Sequence, residues 1–396
     1  MWRNEMIRLE EGIAALTGPG RPLSALSVSF GTAQHAEHFE AGLLQEQSRN
    51  GDILIYDPVP LPDSPLFDLA SLTKLFTALL TLRLWELGKL DLYAPISILD
   101  PRFVHLGPCS FFDLLTYQIS LRTPERIDEA PTREEALSRL FSVSPVPPPP
   151  VRLYSDINAM VVSRILEQCT GTSYMDALRT YVLRPLGMHE TFACVPEKEK
   201  RRCLNYRYEH RLLPDLQVRD DPSPGLPHDP KALLLQGATD DCFGHAGLFS
   251  TREDMQRLCQ GLLSFALLPR KTLLFMAENR TGHPNHDGTH TQYLGCLCFS
   301  KHPVQYYSEM PRYASQACIG LSGFTGNHLA IDPARGFFTL YLGNRVHCRL
   351  TRVSGTDPRS EKKEEALPAS SVDFPHMKDP MLNDPIGERM KELGWL

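Results

Sequence analysis

The chain has 396 residues, of which 42% are hydrophobic, 9% aromatic and 22% charged. This is ordinary for a globular fold and excludes a collagen-like, coiled-coil or wholly disordered chain. Lysine and arginine total 41 against 47 acidic residues, a formal net charge of −6, and no basic run is dense enough for a nucleic-acid footprint.

Charged residues interrupt the first dozen positions, so the sequence predicts no secretory signal there. Met6, Leu9, Ile13, Ala14 and Leu16 recur at helical spacing and predict an amphipathic opening helix. Leu26 to Phe30 alternates at period two, and His38 to Leu44 does so more weakly. With the turn signal Gly31-Thr32-Ala33-Gln34 between them, the pair predicts a hairpin. A proline-rich loop (Pro58 to Pro65) precedes a long helix from about Ser71 to Leu87, closed by Gly88. That apolar stretch carries Lys74, Arg83 and Glu86, which argues against a membrane span. Helical patterns follow at 111–117, 133–141, 158–169 and 174–183, and Pro147 to Pro150 forms a stiff connector. From Leu248 the texture is α/β again: a helix over 252–265, then strands near 292–299, 328–331 and 336–342. The ten cysteines include no Cys-x-x-Cys pair, so reduced thiols and a cytoplasmic location are expected. Cys296 and Cys298, two apart, would share one face of a strand as packing residues.

The expected organisation is an α/β domain discontinuous in sequence (1–90 and 241–350), a mainly helical domain (91–240), and a polar C-terminal tail with a short helix (351–396).

Three segments carry chemistry. In Phe67-Asp68-Leu69-Ala70-Ser71-Leu72-Thr73-Lys74, Ser71 and Lys74 lie three apart at a helix start and so share a face. Burial would disfavour the ammonium and lower the Lys74 pKa, letting it activate the hydroxyl, while the helix N-terminus favours an oxyanion. The plain alternative is a surface serine and lysine sharing a helix by chance. In Arg152-Leu153-Tyr154-Ser155-Asp156, either Ser155 or Asp156 is a natural N-cap, whereas a phenol at a loop–helix junction can relay protons. In Gly320-Leu321-Ser322-Gly323-Phe324, small residues mark close backbone approach to a ligand or simply a turn beside an edge strand.

In this order and spacing the three segments resemble the serine β-lactamase and penicillin-binding-protein superfamily, most closely its class C-like branch of esterases and D-amino-acid peptidases. Leu90-Asp91-Leu92-Tyr93-Ala94-Pro95, Gly244-His245-Ala246-Gly247 and Asn344-Arg345-Val346-His347 extend the resemblance over residues 20–350. It implies an antiparallel sheet flanked by helices plus an all-helical insertion, with the site in the cleft between them. It also implies Ser71 as acylated nucleophile, Lys74 as general base and Tyr154 as second proton-transfer residue. Asp156 would contact Lys74 or substrate, the backbone N–H groups of Ser71 and Phe324 would form an oxyanion hole, and Ser322 and Gly323 would line the substrate.

Two departures qualify the resemblance. Leu321 replaces the family's third-motif cation, which favours a neutral ester or lactone over a carboxylate-bearing substrate. Thr116-Tyr117-Gln118-Ile119-Ser120-Leu121 departs from the usual Thr-His-Thr-Ser-Gly-Leu. The expected activity is hydrolysis of a small ester or lactone through a Ser71 acyl-enzyme. The alternatives are an amide hydrolase of the D-aminopeptidase, transpeptidase or β-lactamase kind, and a non-catalytic binding relative. The expected partner is a small-molecule acyl substrate, with no nucleic acid, membrane, metal or organic cofactor. His283, His286, Asp287 and His290 have zinc-like spacing, but Pro284 and Gly288 interrupt them and favour a solvated loop. His245 reads as close backbone packing.

Overall fold

The computed structural model describes residues 7–147, 153–237, 239–304, 309–354 and 368–396. Its centre is a six-stranded sheet in the order Ile319–Ser322, His328–Asp332, Phe337–Asn344, Ala25–Gly31, Ala36–Asn50, Ile53–Pro60, antiparallel at every pairing. Strands from the start of the chain thus lie beside strands from after residue 318, with the helical patterns of the middle between them in sequence. The hairpin predicted across Gly31 to Gln34 is present, with Ala25 opposite Gly42 and Gly31 opposite Ala36.

Every residue of Ala25–Gly31 and Phe337–Asn344 is buried, because helices cover both faces of the sheet. Alternation divides the strands between two cores. Leu321, Leu329, Leu340 and Leu342 face the larger one, shared with the helix Thr73–Glu86. Leu26, Val28, Phe30, Ala330 and Tyr341 face the smaller, closed by the helix Leu9–Leu16. Eleven residues of Thr73–Glu86 are buried, so this helix is enclosed on nearly all sides, and it presents Lys74 from within the protein interior.

The predicted helices occur at Phe111–Leu115, Arg133–Phe141, Asp156–Thr170, Tyr174–Leu178 and Arg252–Leu263. Three segments differ from expectation. The strand Ile53–Pro60 runs into the start of the expected loop at 58–65; it is the exposed outer edge, where prolines are tolerated because no ladder partner needs their missing N–H. The strand expected near 292–299 is absent: Leu297 takes φ +50°, a left-handed conformation incompatible with extended backbone, and only the isolated bridges Leu294–Phe299 and Phe299–Gly320 form. Cys296 and Cys298 are nevertheless buried.

The end of the chain is no loose polar tail. Phe374–Lys378, Asp379–Asn383 and Asp384–Glu392 are helical, and Phe374, Leu382, Ile386 and Met390 are buried with Leu9, Ile13 and Leu16. The charge run at 361–365 and most of the proline run lie outside the described residues. No helix among the described residues is long and apolar enough to cross a membrane.

Candidate active site

The turn that carries Ser71 begins on the two-residue strand Phe67–Asp68, paired with Phe249–Ser250. The chain then turns through Ala70, which holds φ +45°, an uncommon conformation for a residue with a Cβ and one that costs about 1–3 kcal/mol. Ser71 follows in a 3-10 turn, Ala70–Leu72, before the α-helix starts at Thr73. Asp68 fixes the turn. Its Oδ1 accepts the Ala70 N–H at 2.8 Å and its Oδ2 the His228 N–H at 2.7 Å. Its carbonyl accepts Thr325 Oγ1 at 2.9 Å and Asn327 Nδ2 at 2.8 Å, and its N–H donates to Tyr206 Oη at 3.1 Å. One buried aspartate therefore joins the Ser71 turn to the loop after Ser322.

Lys74 is wholly buried, and its three N–H bonds find three acceptors: Ser71 Oγ at 2.9 Å, Asp156 Oδ1 at 2.7 Å and the His245 carbonyl at 3.0 Å. The sequence predicts a lowered Lys74 pKa, and the site reverses this. Burial does pull it down, but the Asp156 carboxylate and the Tyr154 side chain pull harder and hold it above the ordinary lysine value. Asp156 in turn is held well below the carboxylate range, because Lys74, Lys231 and His245 together outweigh its desolvation. Ser155 is the N-cap, its Oγ accepting from Ile157 N at 3.2 Å, so Asp156 has no capping duty.

Tyr154 lies with its ring 5.0 Å from Lys74 Nζ. The ring stacks on Phe299 (centroids 5.0 Å apart, 12° between planes) and meets Tyr117 at 5.6 Å. Tyr117, in the departing 116–121 segment, is buried at φ +59° and thus forms a wall of the site. Gln292 pins the approach: its Oε1 accepts the N–H groups of both Leu153 and Tyr154, at 2.8 and 2.9 Å. Sequence reasoning missed Gln292 because it falls in the stretch read as a strand.

The third motif closes the site. Leu321 is buried in the larger core. Gly323 is confined: a Cβ there would meet the Leu69 carbonyl at 2.8 Å and Asn327 Nδ2 at 3.0 Å. The Phe324 ring stacks on His228 at 5.6 Å, with Arg345 and Arg352 over it at 5.4 and 5.0 Å. Ser322 Oγ donates to Glu309. A lysine also stands beside Ser322: Lys378, from the C-terminal segment, is 3% exposed and places Nζ 3.5 Å from Ser322 Oγ and 3.4 Å from His328 Nδ1. Position 321 offers no cation, yet one reaches Ser322 from 56 residues further along the chain.

A cavity of about 630 Å³ is lined by Gln292 and Phe299, both of which contact Tyr154, and among others by Tyr293, His302 and Glu309. His283, His286 and Asp287 are exposed, while His290 turns inward to this cavity. No group of three or more potential metal-binding side chains occurs among the described residues.

A central antiparallel sheet flanked by helices, with a buried lysine bonded to a serine at a strained turn beside a glycine-bearing edge strand, is the architecture of the β-lactamase/transpeptidase-like fold. Residues 48–353 match the family model described as Beta-lactamase, and the chain belongs to the β-lactamase family. Among curated relatives it is 27% identical over 330 residues to an N-acetylmuramyl-L-alanine amidase of Bacillus subtilis, covering 75% of this chain and 72% of that one. It is 25% identical over 332 residues to a putative D-alanyl-D-alanine carboxypeptidase of Salmonella enteritidis, covering 75% and 73%. Solved structures share the fold. A simvastatin synthase mutant from Aspergillus terreus superposes with a TM-score of 0.65 at 14% identity, covering 94% of both chains. The hydrolase EstCE1, which has promiscuous acyltransferase activity, gives 0.62 at 18% identity, covering 89% of this chain and 94% of its own.

Proposed function

We propose that the protein is a serine hydrolase that forms a covalent acyl-enzyme on Ser71, acting on a small ester or lactone. The observation that carries this reading is the 2.9 Å contact between Ser71 Oγ and a wholly buried Lys74. Ser71 Oγ attacks the acyl carbon, and its proton passes to the Lys74–Tyr154 pair. The tetrahedral oxyanion faces the backbone N–H groups of Ser71 and Phe324, each such donor contributing about 2.7–4 kcal/mol in comparable sites. The pair returns the proton to the leaving alcohol as the C–O bond breaks, and water then attacks the acyl-enzyme with the roles reversed. Because Lys74 rests as an ammonium, the reactive form is the one in which the pair has lost a proton. Leu321, apolar where a substrate carboxylate would need a cation, supports an uncharged ester or lactone.

A second reading, an amide hydrolase of the D-amino-acid kind, is favoured by the Lys378 ammonium beside Ser322 and by the names of the two curated relatives. The test is intact-protein mass after incubation with a fluorophosphonate. A single adduct in wild type, lost in Ser71→Ala and in Lys74→Ala, is expected; no adduct on folded wild type would overturn the nucleophile assignment. Comparing kcat/KM for short esters, lactones and D-aminoacyl amides then separates the two readings.

A further inference from the structure

Lys74 and Asp156 belong to a closed circuit that neither reading requires. Asp156 gives Oδ1 to Lys74 at 2.7 Å and Oδ2 to Lys231 Nζ at 3.1 Å. Lys231 also approaches Asp229 Oδ2 at 3.4 Å. Asp229 Oδ1 takes His245 Nε2 at 3.0 Å, and the His245 carbonyl returns to Lys74 Nζ at 3.0 Å. Lys231 sits in the first turn of the helix Pro230–Gln236, whose N-cap is Asp229. We propose that Lys231 is a positioning residue of this site, holding one carboxylate oxygen of Asp156 and leaving Lys74 only the other.

The inference rests on the Ser71–Lys74 reading for its kinetic consequences and on the geometry alone for its electrostatic ones. Two ammonium groups share one carboxylate, so each weakens the hold of that carboxylate on the other's proton. Without Lys231, both Asp156 oxygens are free to turn to Lys74. The surrounding groups do not cancel this. Asp156 interacts electrostatically with Lys74, Lys231, His245 and Asp229, and with Tyr117. Lys231 faces Asp229, Asp156 and Asp128, the last paired with Arg126. Asp229 faces His245 and Lys231, and beyond them Asp68. Lys231 is the one of these groups that competes with Lys74 for Asp156 through a direct ion pair.

The test compares Lys231→Met, Lys231→Arg and Asp229→Asn with wild type, using the pH dependence of fluorophosphonate labelling of Ser71. Lys231→Met is expected to label about tenfold more slowly at pH 8 and to converge on wild type at high pH, because Lys74 releases its proton later. Lys231→Arg is expected to restore the wild-type profile. Asp229→Asn keeps a side-chain oxygen for the helix cap but leaves Lys231 wholly to Asp156, so its shift is expected in the opposite direction, toward faster labelling at pH 8. Equal profiles, or shifts of the same sign in Lys231→Met and Asp229→Asn, would overturn the proposal. Should Lys231→Met not fold, the sign of the Asp229→Asn shift decides alone. The Nζ resonance of Lys74, assigned through Lys74→Arg and followed through a titration, gives the same comparison without catalysis. If wild type never labels, the Ser71 reading fails, and this titration still decides the role of Lys231.

Discussion

Lys74 Nζ lies 2.7 Å from Asp156 Oδ1 although Lys74 is wholly buried and Asp156 is 30% exposed. The pair therefore sits where the wet cleft meets the dry core: the carboxylate retains some solvation while stabilising a charge that has none. Burial of a bare ammonium would drive it to neutrality. The short contact keeps it charged and makes Asp156 the residue that sets when Lys74 releases its proton.

The first consequence concerns pH. With Lys74 held above the ordinary lysine value, wild-type acylation is expected to rise through neutral pH and continue rising beyond pH 9. A plateau near pH 7 would point to an imidazole instead. Asp156→Asn removes the principal attraction opposing burial, so Lys74 should lose its proton at lower pH and the rising limb should move to lower pH. Measuring kcat/KM across pH for both proteins checks this.

The same variant has a stability signature whose sign is fixed. Lys74 has a raised pKa when folded, so the stability it contributes is fully present below its unfolded value and is lost as pH rises through the folded one. Asp156→Asn is expected to cost about 2 kcal/mol at pH 7, with the difference narrowing in alkaline solution. Urea denaturation at pH 7 and above pH 10 measures it.

Tyr154→Phe keeps the stacking with Phe299 and Tyr117 and removes only the hydroxyl. Its expected effect is a loss of about 10²–10⁴ in kcat that far exceeds any accompanying change in melting temperature. Gln292→Ala should lose both stability and rate, because two backbone N–H groups lose their acceptor. Gln292→Glu, which still accepts both, should recover most of each; a failure to recover would show that the Gln292 amide group matters in its own right.

Asp68 uses its two carboxylate oxygens on two backbone N–H groups. An asparagine offers one oxygen and turns an NH₂ toward the other donor. Asp68→Asn is therefore expected to destabilise by about 1–3 kcal/mol and to slow Ser71 labelling, through loss of the turn that carries it. Chemical denaturation and labelling rate together separate this from a purely local effect.

Lys378 presents the opposite balance. Burial lowers its pKa, only partly countered by Glu309 and Asp379, so its charge is held at a cost that is present at neutral pH and disappears once the lysine is neutral. Lys378→Met, similar in length, is expected to be neutral or to stabilise by about 1 kcal/mol, with any gain shrinking as pH rises through the lowered folded value of Lys378 and gone once pH passes the ordinary lysine value. If Lys378 recognises a substrate carboxylate, the same variant should raise KM for carboxylated D-aminoacyl amides and leave neutral esters unaffected.

The Ser71–Lys74 pair, Tyr154 and the third motif were legible in the sequence because each sits in a short segment whose residue types are unusual together. The partners that set their charge were not. Asp229 and Lys231 belong to none of the motifs, and nothing in a linear pattern shows that Lys231 meets Asp156. Gln292 lay in a stretch whose apolar residues resemble a strand until the left-handed Leu297 breaks it. Lys378 lay in a tail whose polarity hid the buried face of its helices. The direction of the Lys74 shift was misread for the same reason: burial is inferable from neighbours in sequence, whereas the opposing carboxylate comes from 82 residues away.

The hydrogen bonds of Asp68 join it to positions 138, 160, 257 and 259 residues further along the chain. Contacts of such separation require large loops to close before they can form, which places them late in folding. A partly folded molecule would therefore carry Ser71 as an ordinary, unreactive alcohol. On the role proposed for Ser71, its covalent labelling during refolding would count finished molecules, making the proposed nucleophile a clock for completion of the whole fold as well as a probe of its chemistry.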